Sequence, residues 1–167
     1  MKALKIVILL SLLYGFCIPD CNPQSHFSAV RMKIPSFKKE DYSRINEITE
    51  AGIKYVTAKP QNLEKAKACI DSALYLCEKG KVEIPGNLHL LMARYNLITG
   101  DYLNASAEGT LAMGKAEKNN DHKLLVETLY FLGSYYLRTG FYNESLDYFT
   151  RGISLAEQKK LKGMIQR

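Results

Sequence analysis

The side chains of this sequence that could carry metal or acid–base chemistry are His26, His89 and His122, the cysteines Cys17, Cys21, Cys69 and Cys77, and a scatter of carboxylates. A zinc site needs three or four ligands that converge. The chain has no Cys-x-x-Cys, no His-Glu-x-x-His and no glycine-rich phosphate loop. His26 falls in a Pro- and Ser-bearing stretch, His89 inside a helical pattern and His122 at a helix start, so all three read as surface or capping histidines. Cys69 and Cys77 share one predicted helix. Eight residues of helix put their Cα atoms about 12 Å apart, whereas a disulfide needs roughly 7 Å or less. No pair of carboxylates falls at a helical spacing that would bring both onto an apolar wall. Asn104-Ala105-Ser106 and Asn143-Glu144-Ser145 match a glycosylation acceptor, but each lies at the start of a predicted helix, where polar residues satisfy the first turn. The residues therefore point to no catalytic group, no cofactor and no metal.

Charge excludes another class. The 167 residues carry a formal +6, but residues 41–158 hold 13 Lys and Arg against 15 Asp and Glu, a net of −2. The excess lies at the ends, in Lys2, Lys5, Arg31, Lys33, Lys38 and Lys39 and again in Lys159, Lys160, Lys162 and Arg167. A nucleic-acid module gathers its cations on the folded body, so no nucleic-acid partner is expected.

The first 21 residues, "MKALKIVILLSLLYGFCIPDC", place two lysines ahead of an apolar run from Ile6 to Ile18. That is the layout of a secretory signal peptide or a retained membrane anchor. Phe16 before Cys17 and Asp20 before Cys21 both depart from the small residue that a lipoprotein signal places there. Residues 22–41 carry Pro23 and Pro35 without periodicity and read as a linker. The expectation is an exported, periplasmic or envelope-associated chain that meets the membrane through its N-terminal segment alone.

The elements that must position anything functional follow from a repeat. At an offset of forty residues Tyr95 meets Tyr135, Leu97 meets Leu137, Thr99 meets Thr139, Gly100 meets Gly140, Tyr102 meets Tyr142, and Ala116-Glu117 meet Ala156-Glu157. Such a period means stacked supersecondary units. Each unit reads as two helices, with Leu88, Leu91, Met92 and Tyr95 at helical spacing in one of them. Gly100 supplies a left-handed helix end and Asp101 the next cap. Helices are predicted over 87–99, 102–118, 122–139 and 141–159. An earlier copy, with helices from about Ile45 to Ala58 and then from Leu63, matches at an offset of 39 through Ala66, Ala73 and Glu78. The predicted fold is all-α, about three helix pairs over residues 42–167 (45–81, 85–119 and 121–160), with the start of a fourth unit at 161–167. Met164 and Ile165 there match Leu124 and Leu125.

These residues resemble the tetratricopeptide repeat (TPR) family. The third unit carries the pattern as Leu132-Gly133, Tyr136, Gly140, Tyr142, Ser145, Phe149 and Gly152. The second carries Met92-Ala93, Gly100, Tyr102, Ala105 and Ala112, with Gly109 where a large residue is usual. The first carries Gly52, Tyr55, Leu63, Ala66, Ile70 and Ala73. The resemblance implies an α-α superhelical solenoid whose first helices line an inner surface. Carried over by position, the partner-binding candidates are Leu90, Arg94 and Ile98, then Tyr130, Ser134 and Arg138.

The resemblance also implies a non-catalytic scaffold that binds a protein or peptide in a bacterial cell envelope, as the sensing or docking part of a signal-transducing regulator. A structural adaptor of an envelope assembly is the alternative, and an enzyme the remote one. Leu155, Leu161, Met164 and Ile165 lack a following unit in these residues, which adds self-association through the C-terminal end to the expected partners.

Overall fold

Gly100 and Gly140 have φ of 87° and 86°. A residue with a Cβ adopts that conformation at a cost, so glycine ends a helix there cheaply. Each closes one helix, and within two residues the next begins. In the computed structural model, which describes residues 39–161 and Gly163, this punctuation yields six helices. They are α1 (Lys39–Thr57), α2 (Leu63–Gly80), α3 (Gly86–Thr99), α4 (Tyr102–Lys118), α5 (His122–Thr139) and α6 (Tyr142–Gln158). No strand occurs among the described residues. The expected signal segment, most of the expected linker, and Met164 and Ile165 lie outside the described residues.

Side chains set the starts. Asn62 Oδ1 accepts from Lys65 N at 3.0 Å, Asp101 Oδ1 from Asn104 N at 3.1 Å, and Asp121 Oδ1 from Leu124 N at 3.0 Å. Such caps stabilise a helix by about 1 kcal/mol each. Phe141 takes the place of Asp101 in the third pair and makes no side-chain cap. Its ring packs edge-on against Tyr136, with centroids 6.2 Å apart. Helix α1 begins at Lys39, ahead of the predicted Ile45, because Glu40 and Asp41 in its first turn complement the positive helix end.

The second helices end alike. Lys81, Asn120 and Lys160 have φ of 51°, 52° and 56°. The next amide then donates back into the helix: Val82 N to Cys77 O, Asp121 N to Ala116 O and Leu161 N to Ala156 O, at 2.8–3.0 Å. Cys77, Ala116 and Ala156 are all buried at this point, as small residues must be for the turn to pack closely.

Consecutive helices pack on each other, and α1 touches α3 as α3 touches α5, so the first helices form one layer. Ser145 Oγ donates to Gly133 O at 2.8 Å across the α5–α6 hairpin. Helix α3 is central. Leu88, Leu91 and Met92 join Ile45, Val56, Ile70 and Ala73 in one cluster, while Leu90, Ala93 and Leu97 join Ala105, Ala112, Phe131 and Leu132 in a second. Two flanks of α3 are therefore buried, and Arg94, Tyr95 and Asn96 between them stay part-exposed. Fully burying each leucine stabilises the fold by about 2 kcal/mol.

The departure at Gly109 has a packing cause. A Cβ there would lie 2.7 Å from Phe131 Cε1. The large side chain comes from α5 rather than α4. In the third pair Phe149 supplies it from α6 and stands over Gly133, where a Cβ would lie 2.8 Å from the ring.

Candidate functional site

The first-helix layer, together with α6, borders an open cavity of about 870 Å³. Helix α1 contributes Ile53, Lys54 and Thr57, and α3 contributes Arg94. Lys123, Glu127, Tyr130 and Ser134 come from α5, at the helical spacing that puts them on one stripe. Phe149 and Ile153 of α6 form the far wall, and Gly163 lies at its edge. The register explains the alignment. Ile53 follows Gly52, Arg94 follows Ala93 and Ser134 follows Gly133, so each projects just beside the small residue that lets the pairs approach.

Tyr130 and Phe149 form the apolar floor, with ring centroids 6.0 Å apart and tilted by 46°. Arg94 Nη2 lies 3.8 Å from Glu127 Oε2, joining α3 to α5. Lys54 and Lys123 make no ion pair among the described residues. Three cations against one carboxylate leave the lining at +2. The aliphatic hydroxyls are engaged: Thr57 Oγ1 donates to Ile53 O and Ser134 Oγ to Tyr130 O, both at 2.8 Å. The arrangement can hold a ligand with an apolar portion and an anionic one.

Of the six partner-binding candidates, the structure brings Arg94, Tyr130 and Ser134 together in this cavity. Leu90 is placed otherwise. It is 0% exposed in the second core cluster, because α5 covers that side of α3. Ile98 is half-buried against the first cluster. Arg138 does not line the cavity. Its Nη1 donates to Leu97 O at 3.4 Å, and so satisfies a carbonyl near the C-terminal end of α3. Neither the spacing nor the resemblance points to the other eight lining residues, Ile53, Lys54, Thr57, Lys123, Glu127, Phe149, Ile153 and Gly163. Extending the Tyr130 stripe toward the start of α5 would have reached Glu127 and Lys123.

His89 is a further correction. It is buried in α3, not a surface or capping residue, and its Nδ1 lies 2.6 Å from Glu108 Oε2 on α4. Among the described residues no group of three or more His, Cys, Asp or Glu could hold a metal ion. Also among them, no helix is long and apolar enough to cross a membrane.

No family model matches the chain, and no curated protein or solved structure matches it. The functional reading therefore rests on the residues and their arrangement.

Proposed function

We propose that this chain is a non-catalytic scaffold of three TPR-like helix pairs, whose first helices bind a peptide segment of another protein. The cavity carries the reading. It runs across α1, α3 and α5, has an aromatic floor, and sets Lys54 and Lys123 beside an Arg94–Glu127 pair. Its one carboxylate is paired and its two aliphatic hydroxyls, of Thr57 and Ser134, are bound to their own helices, which favours recognition over catalysis. Together with the signal-like N-terminus, this supports a sensing or docking role in the envelope, in a regulator of bacterial type.

The test is a displayed peptide library panned against the full chain, with affinities measured by fluorescence polarisation. Selected peptides should carry Asp or Glu next to an apolar residue. Lys54→Glu with Lys123→Glu should weaken them by about tenfold at low salt and by less at high salt, as expected where exposed charges face an acidic partner. Selection of peptides whose binding ignores both substitutions and Tyr130→Ala would remove the groove from the proposal.

A further inference from the structure

The two seams between first helices are closed differently at one register. Asn87 of α3 stands forty residues before Glu127 of α5. Its Nδ2 donates to Asn46 Oδ1 of α1 at 3.1 Å, a neutral hydrogen bond that ties α1 to α3. At the second seam Glu127 Oε2 lies 3.8 Å from Arg94 Nη2, inside ion-pair range but beyond a hydrogen bond. Lys54 of α1 is the counterpart of Arg94 at the same offset, and the residue that stands to it as Glu127 stands to Arg94 is the neutral Asn87. The carboxylate is thus a property of the second seam. The Arg94 and Glu127 side chains are 22% and 29% exposed, and both line the cavity.

We propose that Glu127 holds the place of a ligand carboxylate on Arg94 and gives it up when an acidic peptide binds, so that Glu127 sets the affinity of the groove for such peptides. This rests on the peptide-binding reading of the cavity and adds the exchange to it. A ligand carboxylate can meet the guanidinium fork with two hydrogen bonds of about 2.8 Å, which a 3.8 Å pair does not match. Lys123 receives the displaced side chain. It lies four residues before Glu127 on α5, is exposed, and makes no ion pair among the described residues. Arg94 is the seat rather than Lys54 or Lys123 because it is the part-buried cation of the three, where salt screens least. Tyr130, three residues beyond Glu127, sets the aromatic floor beside it for the apolar part of the ligand. A neutral ligand has no group to exchange and leaves the pair closed.

The probe is the blocked peptide acetyl-Gly-Phe-Asp-Leu-Gly-amide, whose single charge is the Asp side chain, with its Asn form as the neutral control. Binding to the full chain is followed by nuclear magnetic resonance titration to millimolar peptide. Glu127→Gln should tighten the Asp peptide about threefold, the scale of one part-exposed ion pair, and leave the Asn peptide unchanged. In an Arg94→Gln chain the same substitution should gain nothing, whereas mere removal of a negative charge from the cavity would help the Asp peptide there as well. Unchanged or weaker binding in Glu127→Gln would overturn the exchange and leave Glu127 as a tie between α3 and α5. An equal gain for the Asn peptide, or a gain that persists without Arg94, would overturn it too. In those three cases saturable shifts at Tyr130 and Ser134 would still uphold the groove. No saturable shift at these residues in either the natural or the Glu127→Gln chain would remove the groove and the exchange together.

Discussion

Gly109 and Phe131 occupy each other's space. A Cβ on Gly109 would lie 2.7 Å from Cε1 of the ring, while a Cβ on Gly114 of the same helix would meet nothing within 4 Å. Alanine improves helix propensity by about 1 kcal/mol at either site. Overpacking opposes that gain at Gly109 alone, by about 1–3 kcal/mol. Gly114→Ala should therefore raise the urea midpoint, and Gly109→Ala should leave it unchanged or lower it. A higher midpoint for both would show that the Phe131 ring moves aside freely.

The contact of His89 with Glu108 ties α3 to α4 from inside, since the His89 side chain is 8% exposed and that of Glu108 24%. Glu108→Leu strands the buried ring nitrogen and should cost about 1–3 kcal/mol. Glu108→Gln keeps an acceptor in place and should cost clearly less. Denaturant melts of both variants give the comparison, and equal losses would assign the effect to packing.

Burial pushes the Cys69 and Cys77 thiols up from their ordinary value. The neutral, unreactive form is favoured in both, and Cys77 is also 3% exposed. Alkylation of Cys77 at neutral pH should therefore follow unfolding and accelerate steeply in denaturant. Both thiols are free in the fold, and peptide mass mapping should find no Cys69–Cys77 link.

Lys115 holds the Glu83 carboxyl below its ordinary value, first through a hydrogen bond and then through its charge, with Lys118 adding to the effect. A depressed carboxyl stabilises the fold above its unfolded pKa, and that contribution is lost as pH falls through the lower folded value. Lys115→Ala should flatten this part of the acid limb of a stability–pH curve. Glu83 is largely exposed, so the effect should be small and should shrink in salt.

Local structure was legible in the sequence wherever it is decided locally. Helices α4 and α5 run over the predicted residues, because Asp101, Asp121 and Gly140 each fix an end through their own conformation or side chain. Of the eleven residues that line the site, Arg94, Tyr130 and Ser134 were legible, and through the family resemblance, which implies that the first helices form an inner surface. Leu90 shows the limit. It shares its register with Tyr130, yet one is core and the other lines a cavity, and the difference lies in whether a following helix covers it. Coverage is a property of neighbours, which spacing within one helix does not contain. Arg138 fails in a related way, since a long side chain takes the nearest unsatisfied carbonyl, and that carbonyl belongs to α3.

The left-handed turns at Lys81, Asn120 and Lys160 share one hydrogen-bond pattern, and this bears on how such a chain can change length. A duplicated stretch that begins after one of these turns and ends at the next arrives with both of its joins already suited to their neighbours. Recombination at the turn thus adds or deletes a whole pair without a new loop. An exchange whose two ends are out of step with the repeat leaves a helix without its mate, so lengths should vary among descendants of such a gene in steps of about forty residues.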